Sequence, residues 1–170
     1  MDAPPSEEHA MPSFLKPCLI AASTLALTAC VTFGKQKTNA PRLTCAPETV
    51  ELMKKLRLEP GQQGSLQLDA AQPGGPTDYG VYRQGKVTSR LESAVGDLPA
   101  GTLVVGVLWM DTGKVQVRYT QASLPDGQNH PVCLVLGASA PGGLYAEAGT
   151  TPSAITLPRS APFTVVSQFE

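Results

Sequence analysis

Residues that could carry out acid–base or nucleophilic chemistry are scarce in this chain. Of its two histidines, His130 is the one outside the N-terminal segment. A Ser-His-Asp relay would pair it with Ser123 and Asp126, but all three flank a predicted turn and the serine lacks a Gly-x-Ser-x-Gly elbow. A metal site built from His130, Cys133 and Cys45 has three ligands at most, and disulfide pairing competes for both thiols. The sequence therefore predicts no catalytic residue, no metal site and no cofactor.

The N-terminal stretch has the layout of an export signal. Lys16 precedes a short apolar run, which ends in Leu27-Thr28-Ala29-Cys30. The run holds about a dozen residues, too few for a helix that spans a hydrocarbon core of roughly 30 Å. Its exit resembles the lipobox of bacterial lipoproteins, and this resemblance implies that Cys30 is diacylated and becomes the mature N-terminus. A cleaved signal with a cysteine at its exit, or a buried core helix, is the alternative.

These features divide the chain into three parts. Residues 1–29 form the predicted signal, and the acidic residues ahead of Met11 favour that methionine as the true start, because such signals begin with positive charge. Residues 30–44 form a polar, mildly basic segment, interpreted either as a lipidated tether or as a plain solvated linker, and residues 45–170 form a single β-rich domain. The resemblance implies a cell-envelope location with the membrane as lipid partner. Val31 stands where an aspartate would resemble an inner-membrane retention signal, which favours the outer membrane.

The charge balance excludes one large class of partner. The formal net charge of the whole sequence is −1. Loss of residues 1–29 removes one basic and three acidic residues, so the mature chain lies near +1. Such a balance gives no field that could hold a polyanion. We therefore expect no nucleic-acid partner.

The four cysteines have different predicted fates. Cys18 leaves with the signal and Cys30 is the lipid site. Cys45 and Cys133 remain as an even pair in a chain exported to an oxidising compartment, where disulfides persist. We predict that they are joined, with a pair of free buried thiols as the alternative.

One helix is predicted at the start of the domain. The segment Ala46–Leu58 places proline in the first turn, acidic residues early and basic residues late, with Val50, Met53 and Leu56 on one face. Glu59-Pro60-Gly61 is expected to end it. The helix should cover an open end or a face of a sheet.

Strand patterns dominate the rest of the chain. Residues 65–69 alternate, and residues 79–83 and 86–92 suggest a hairpin around Gln84-Gly85. Residues 102–110 are apolar on both faces, which predicts a central strand with Val107 and Trp109 in the core and with a bulge or close approach at Gly106. Residues 114–120 and 131–136 complete a three-stranded meander.

The last third of the domain is less regular. Residues 138–161 are rich in Gly, Ala, Ser, Thr and Pro and predict a long flexible loop, with a short strand at Ile155-Thr156-Leu157 inside it. Residues 163–169 predict a closing strand on an otherwise open edge. The predicted fold is mainly β, a small antiparallel barrel or sandwich of about six or seven strands with one short N-terminal helix.

A candidate partner surface comes from tyrosines and arginines near predicted loops. Tyr79, Tyr82 and Tyr145 are expected to be exposed, with Arg83 and Arg90 close in sequence. Side chains of these types anchor protein partners or glycans. Structural tyrosines that cap a small core are the alternative.

Two wider patterns have counterparts in known families. Residues 98–136, from Leu98-Pro99-Ala100-Gly101 through two strands and Leu124-Pro125-Asp126-Gly127, resemble the C-terminal β-barrel of TrbI-type scaffolds of conjugation machines. The order of Cys45, helix, meander and Cys133 is similar to short lipoproteins of gliding soil bacteria. Some of those are described as kinases, but the Gly-rich nucleotide loop, His-Arg-Asp and Asp-Phe-Gly are absent from this sequence, so the resemblance implies no kinase activity.

Together these features predict a non-enzymatic envelope lipoprotein. The domain would act as a binding or assembly module for another envelope protein. An envelope hydrolase with an unrecognised site, or a component of a secretion or conjugation apparatus, is the alternative.

Overall fold

A computed structural model of the protein describes residues 41, 43–73, 75, 77–111, 113–151 and 153–170. The predicted signal, Cys30 and most of the tether lie outside the described residues. The elements in chain order are α1 (Pro47–Lys55), β1 (Gln63–Gln67), β2 (Tyr79–Tyr82), β3 (Gly85–Leu91), β4 (Leu103–Asp111), β5 (Lys114–Ser123), β6 (Asn129–Leu136), β7 (Leu144–Tyr145), β8 (Ile155–Pro158) and β9 (Ser160–Val165). Among the described residues, no helix is long and apolar enough to span a membrane.

The fold is mainly β, and of the two predicted architectures the barrel is the one observed. Six antiparallel strands close in the order β1-β3-β4-β5-β6-β9 and back to β1, and the short β7 extends the sheet beside β5. Strands β2 and β8 form a separate two-stranded sheet, which we call the ribbon. Closure removes the free edges that an open sheet of this size would expose.

The predicted meander is confirmed as β4, β5 and β6, which pair consecutively. The predicted irregularity at Gly106 is also confirmed, since the register between β4 and β5 shifts between Val105 and Gly106. A Cβ at Gly106 would collide with the carbonyl oxygen of Arg118, so only glycine fits this close approach.

The barrel interior is filled by side chains. Inward positions of every strand are apolar, for example Val104, Leu134 and Phe163, each 0% exposed. One polar pair lies among them, since the Tyr119 hydroxyl and Ser89 Oγ are 2.9 Å apart. A buried hydroxyl group is costly unless it makes a hydrogen bond, and this contact gives each of the two hydroxyls a hydrogen-bond partner.

Val107 corrects the prediction that the central strand places it in the core, whereas Trp109 is buried as predicted, but on the face of the strand that points away from the barrel interior. Val107 pairs with Arg118 and Trp109 with Gln116 across β4 and β5, on the outer face of the barrel. Val107 is only half-buried. Trp109 is buried because the guanidinium carbon of Arg118 lies 5.0 Å from its ring centroid, and the same group lies 5.4 Å from the ring of Phe169. The doubly apolar pattern of β4 thus reflects an outer cover made by Arg118 and the C-terminal segment, not a second core layer.

The helix lies against β6 where β9 has ended. Met53 is buried, and its Sδ accepts the backbone N–H of Cys133 at 3.2 Å. The disulfide predicted between Cys45 and Cys133 is present, with Cα atoms 5.9 Å apart, so it fastens the entry of the domain to the barrel wall. The helix ends before the predicted Glu59-Pro60-Gly61 signal, because Arg57 takes a left-handed φ of 55°.

The hairpin predicted over residues 79–92 is wrong. Strand β2 pairs with β8, whereas β3 pairs with β1 and β4. The chain passes from the ribbon into the barrel at Gln84-Gly85, where Gly85 has φ 127°, and it does not fold back on itself.

The segment 138–161, predicted as a loop, contains β7 as well as the expected short strand, observed as β8. The closing strand is confirmed but starts earlier than predicted, at Ser160, and it joins β1 to β6.

Candidate functional site

The ribbon presents an apolar outer face at one end of the barrel. Residues alternate along β2, so Tyr79 and Val81 point outward and are 60% and 59% exposed, while Gly80 and Tyr82 point inward. On β8, Thr156 lies opposite Val81 and Pro158 opposite Tyr79. We call the outward side chains of Tyr79, Val81, Thr156 and Pro158 the ribbon surface.

The predicted partner surface is corrected at Tyr82, which is buried at 3% exposure. A Cβ on Gly80 would collide with the Tyr82 hydroxyl, so glycine at that position leaves room for the ring on the inner face. Tyr79 and Tyr82 are three residues apart in a strand and therefore lie on opposite faces. This parity is a signal in the sequence that could have separated the two tyrosines, and the same parity adds Val81 to the surface.

The two predicted arginines are exposed but are not neighbours. Arg83 lies two residues before the start of β3, where Gly85 pairs with Leu108, whereas Arg90 pairs with Leu103 near the other end of the same strand. At about 3.3 Å per residue, this places them on the order of 20 Å apart along the strand. Arg83 thus belongs to the ribbon end of the barrel and Arg90 does not.

Tyr145 lies on β7, which pairs with β5 in the barrel sheet. It pairs with Lys114, whose Nζ lies 5.0 Å from the centroid of the tyrosine ring. Beyond β7 the chain runs along β8, because the backbone N–H of Glu147 donates to the carbonyl of Thr156 at 3.2 Å. Tyr145 is 76% exposed, so a third large side chain is available beside the ribbon.

A groove of about 490 Å³ lies beside β2. Buried Tyr82, Val87 and Leu108 contribute its apolar part, and Arg83 and Lys86 supply two cations. The complete lining comprises Asp69, Ala71, Val81, Tyr82, Arg83, Gln84, Lys86, Val87, Thr88 and Leu108. The volume falls within the range of roughly 300–1,000 Å³ that is typical of ligand pockets.

A buried arginine fixes the loop that forms one wall of this groove. The guanidinium group of Arg159 is fully buried and donates to the carbonyl oxygens of Gln72 and Pro73. Burial raises the pKa of nearby Tyr82 to about 12, against the opposing effect of the Arg159 charge. Tyr82 is therefore neutral at physiological pH, and its hydroxyl has no hydrogen-bond partner among the described residues.

The residues that the sequence offered for a catalytic relay are not brought together. Ser123 Oγ contacts Asn129 Oδ1 at 2.5 Å, and the carboxylate of Asp126 accepts the backbone N–H of Gln128 at 3.0 Å. His130 pairs with Ala122 and is half-buried, so it lies on the opposite face of the sheet from Ser123. Cys45 and Cys133 use both sulfurs in the disulfide and do not form a thiolate site with His130.

No protein-family model matches this sequence, and no curated protein matches it significantly.

Proposed function

We propose that this chain is a membrane-anchored envelope lipoprotein whose barrel domain acts as a non-enzymatic binding or assembly module. The observation that carries the proposal is the ribbon surface, where Tyr79 and Val81 are both about 60% exposed on one face. Single exposed apolar side chains are ordinary. Here two lie on one strand face, and the exposed ring of Tyr145 stands two residues before the contact that Glu147 makes with β8, so this region offers the aromatic anchors on which protein interfaces depend.

The sequence of the N-terminal segment supports the anchor. Leu27-Thr28-Ala29-Cys30 resembles a lipobox, and a diacylated cysteine carries two chains, which is sufficient for stable membrane attachment. The carbonyl of Pro41 accepts a hydrogen bond from the guanidinium group of Arg118 at 3.2 Å, so this part of the predicted tether contacts the outer wall of the barrel. Ten residues lie between Cys30 and Pro41, so the two are at most about 40 Å apart. The domain would therefore reach partners close to its own membrane.

Site-specific photo-cross-linking in cells tests this function. A photoreactive residue at position 79 should form a discrete membrane-fraction adduct, which Val81→Asp should abolish without a change in melting temperature. The same probe at position 90, also exposed but at the other end of β3, is the matched control and should give no such adduct. Equal labelling from both positions, or an adduct insensitive to Val81→Asp, would refute the ribbon surface as a binding site.

A further inference from the structure

The groove beside β2 lies between two strand edges with backbone groups available for pairing. On β8, Thr156 donates its N–H to Thr150 Oγ1 and accepts from Glu147, both at 3.2 Å, so its backbone points away from β2. The backbone N–H and carbonyl of its cross-strand partner Val81 therefore point away from β8, toward the groove. The Gln72 side chain donates to the Val81 carbonyl at 2.9 Å, while the Val81 N–H has no partner among the described residues.

The opposite wall is the edge of β3. The carbonyl of Thr88 on β3 accepts a hydrogen bond from the N–H of Ala70 at 2.8 Å. This is the last backbone hydrogen bond between β3 and the segment that follows β1. Lys86 is two residues earlier on the same strand, so its N–H and carbonyl point to the same side. Over the described part of the chain, neither group has a backbone partner there.

The charges of the groove favour an acidic occupant. The two ion pairs found between described residues join Lys54 to Glu51 and Arg57 to Asp97, so neither Arg83 nor Lys86 is neutralised by a carboxylate. The single carboxylate in the lining, that of Asp69, accepts the backbone N–H of Ala71 at 3.2 Å. Two cations thus face one locally bonded anion.

We propose that this groove binds an extended, acidic peptide segment of a partner protein by strand addition to β2. The peptide backbone pairs with the edges at Val81 and Lys86, and its acidic side chains lie near Arg83 and Lys86. This inference rests on the proposed function and names the chemistry of the partner. A second copy of β2 fits less well, because its flanking Asp78 and Arg83 add no net negative charge.

Titration of defined peptides against the full chain tests the proposal. The probe is the blocked peptide Thr-Val-Glu-Val-Glu-Val-Thr, compared with the same peptide carrying Lys in place of Glu and with a version N-methylated at its valines. Backbone amide resonances of Val81 and Lys86 report on the groove, and those of Tyr79 and Thr156 report on the ribbon surface. The acidic peptide should shift the first pair, whereas the lysine and N-methylated peptides should not.

Charge variants separate groove binding from general attraction. Reversal of both cations, Arg83→Glu with Lys86→Glu, should weaken binding of the acidic peptide about tenfold or more, since each exposed ion pair accounts for a few-fold change. Arg90→Glu makes an equivalent change outside the groove and should alter binding less than about twofold. All three side chains are exposed, and an unchanged melting temperature shows that the fold is retained.

Three results would overturn the inference. No binding of the acidic peptide at about 1 mM would exclude it, and if the adduct at position 79 persisted the proposed function would still stand. Shifts at Tyr79 and Thr156 without shifts at Val81 and Lys86 would place the peptide on the ribbon surface. A concentration-dependent dimer that shifts Val81 and Lys86 without peptide would identify a second copy as the occupant.

Discussion

Arg118 holds both ends of the described chain against the outer wall of the barrel, and its replacement provides a sharp test of this arrangement. Its guanidinium group donates to the carbonyls of Pro41 and Glu170 and stacks between Trp109 and Phe169. Partial burial lowers the pKa of Arg118, but arginine remains charged under all physiological conditions. Arg118→Ala would release both segments and expose the ring of Trp109.

The expected cost follows from the contacts that are lost. Each cation–π contact at a partly exposed site contributes about 0.5–1 kcal/mol. The two hydrogen bonds contribute less than buried charged ones, because the released carbonyls can bind water. We expect Arg118→Ala to lower the free energy of unfolding by about 2 kcal/mol, and Arg118→Lys to recover only part of this because lysine lacks the planar fork.

Fluorescence provides the assay, because Trp109 is the single tryptophan of the chain. The emission maximum of Arg118→Ala should shift to longer wavelength before any denaturant is added, and the urea midpoint should fall. Arg90→Ala removes an exposed arginine from a different strand position and should leave both unchanged. Native-like emission together with a loss of stability under about 0.5 kcal/mol would refute the cover over Trp109.

Other predictions follow from the disulfide, the buried tyrosines and the histidine. Replacement of Cys45 and Cys133 by Ala should lower the free energy of unfolding by roughly 4–5 kcal/mol, because the bridge closes a loop of 88 residues in the unfolded chain. Urea unfolding measures this, and free thiols at both positions in non-reducing peptide maps of protein isolated from its native cells would contradict it. Burial raises the pKa of Tyr82 to about 12, and it raises the pKa of Tyr119 as well, partly offset by the hydrogen bond to Ser89. Both tyrosines ionise near pH 10 in the unfolded chain, so they should not affect the free energy of unfolding below about pH 9. That free energy should then fall between pH 10 and 12, by up to about 2.7 kcal/mol per pH unit for the two groups together. The urea midpoint at each pH tests this, and an equal loss of stability in Tyr82→Phe would assign the loss to other groups. His130→Gln should change stability by less than about 0.5 kcal/mol and leave any cellular phenotype intact, whereas loss of phenotype with an unchanged melting temperature would favour an enzyme.

Local patterns predicted the parts of the fold that depend on neighbouring residues. The meander was predictable because β4, β5 and β6 alternate and are joined by short turns, and the bulge was predictable from a glycine inside an apolar strand. The pairing of β2 with β8 could not be predicted from local patterns, because the paired residues lie more than 70 positions apart in the chain. The barrel strands between them determine where the two strands meet. A nearby turn signal at Gln84-Gly85 suggested the wrong partner for β2.

Tertiary contacts also explain what local patterns missed at individual residues. Trp109 has the hydrophobicity of a core residue, but its cover comes from Arg118 and Phe169, which no pattern within β4 indicates. Full burial of Arg159 has no local signal either, since arginine is usually exposed. Strand parity alone could have shown that Tyr82 faces inward. The groove required the structure, because it lies between β2 and β3, which pair with other strands and not with each other.

The lipid anchor is the claim on which the membrane function depends, and the mass of the N-terminal peptide of the mature protein tests it most directly. We predict that the peptide begins at Cys30 and carries the added mass of a diacylglycerol group, and that Cys30→Ser moves the protein from the membrane fraction to the soluble fraction. A mature chain that begins elsewhere, or an unmodified Cys30 in wild-type protein, would contradict it.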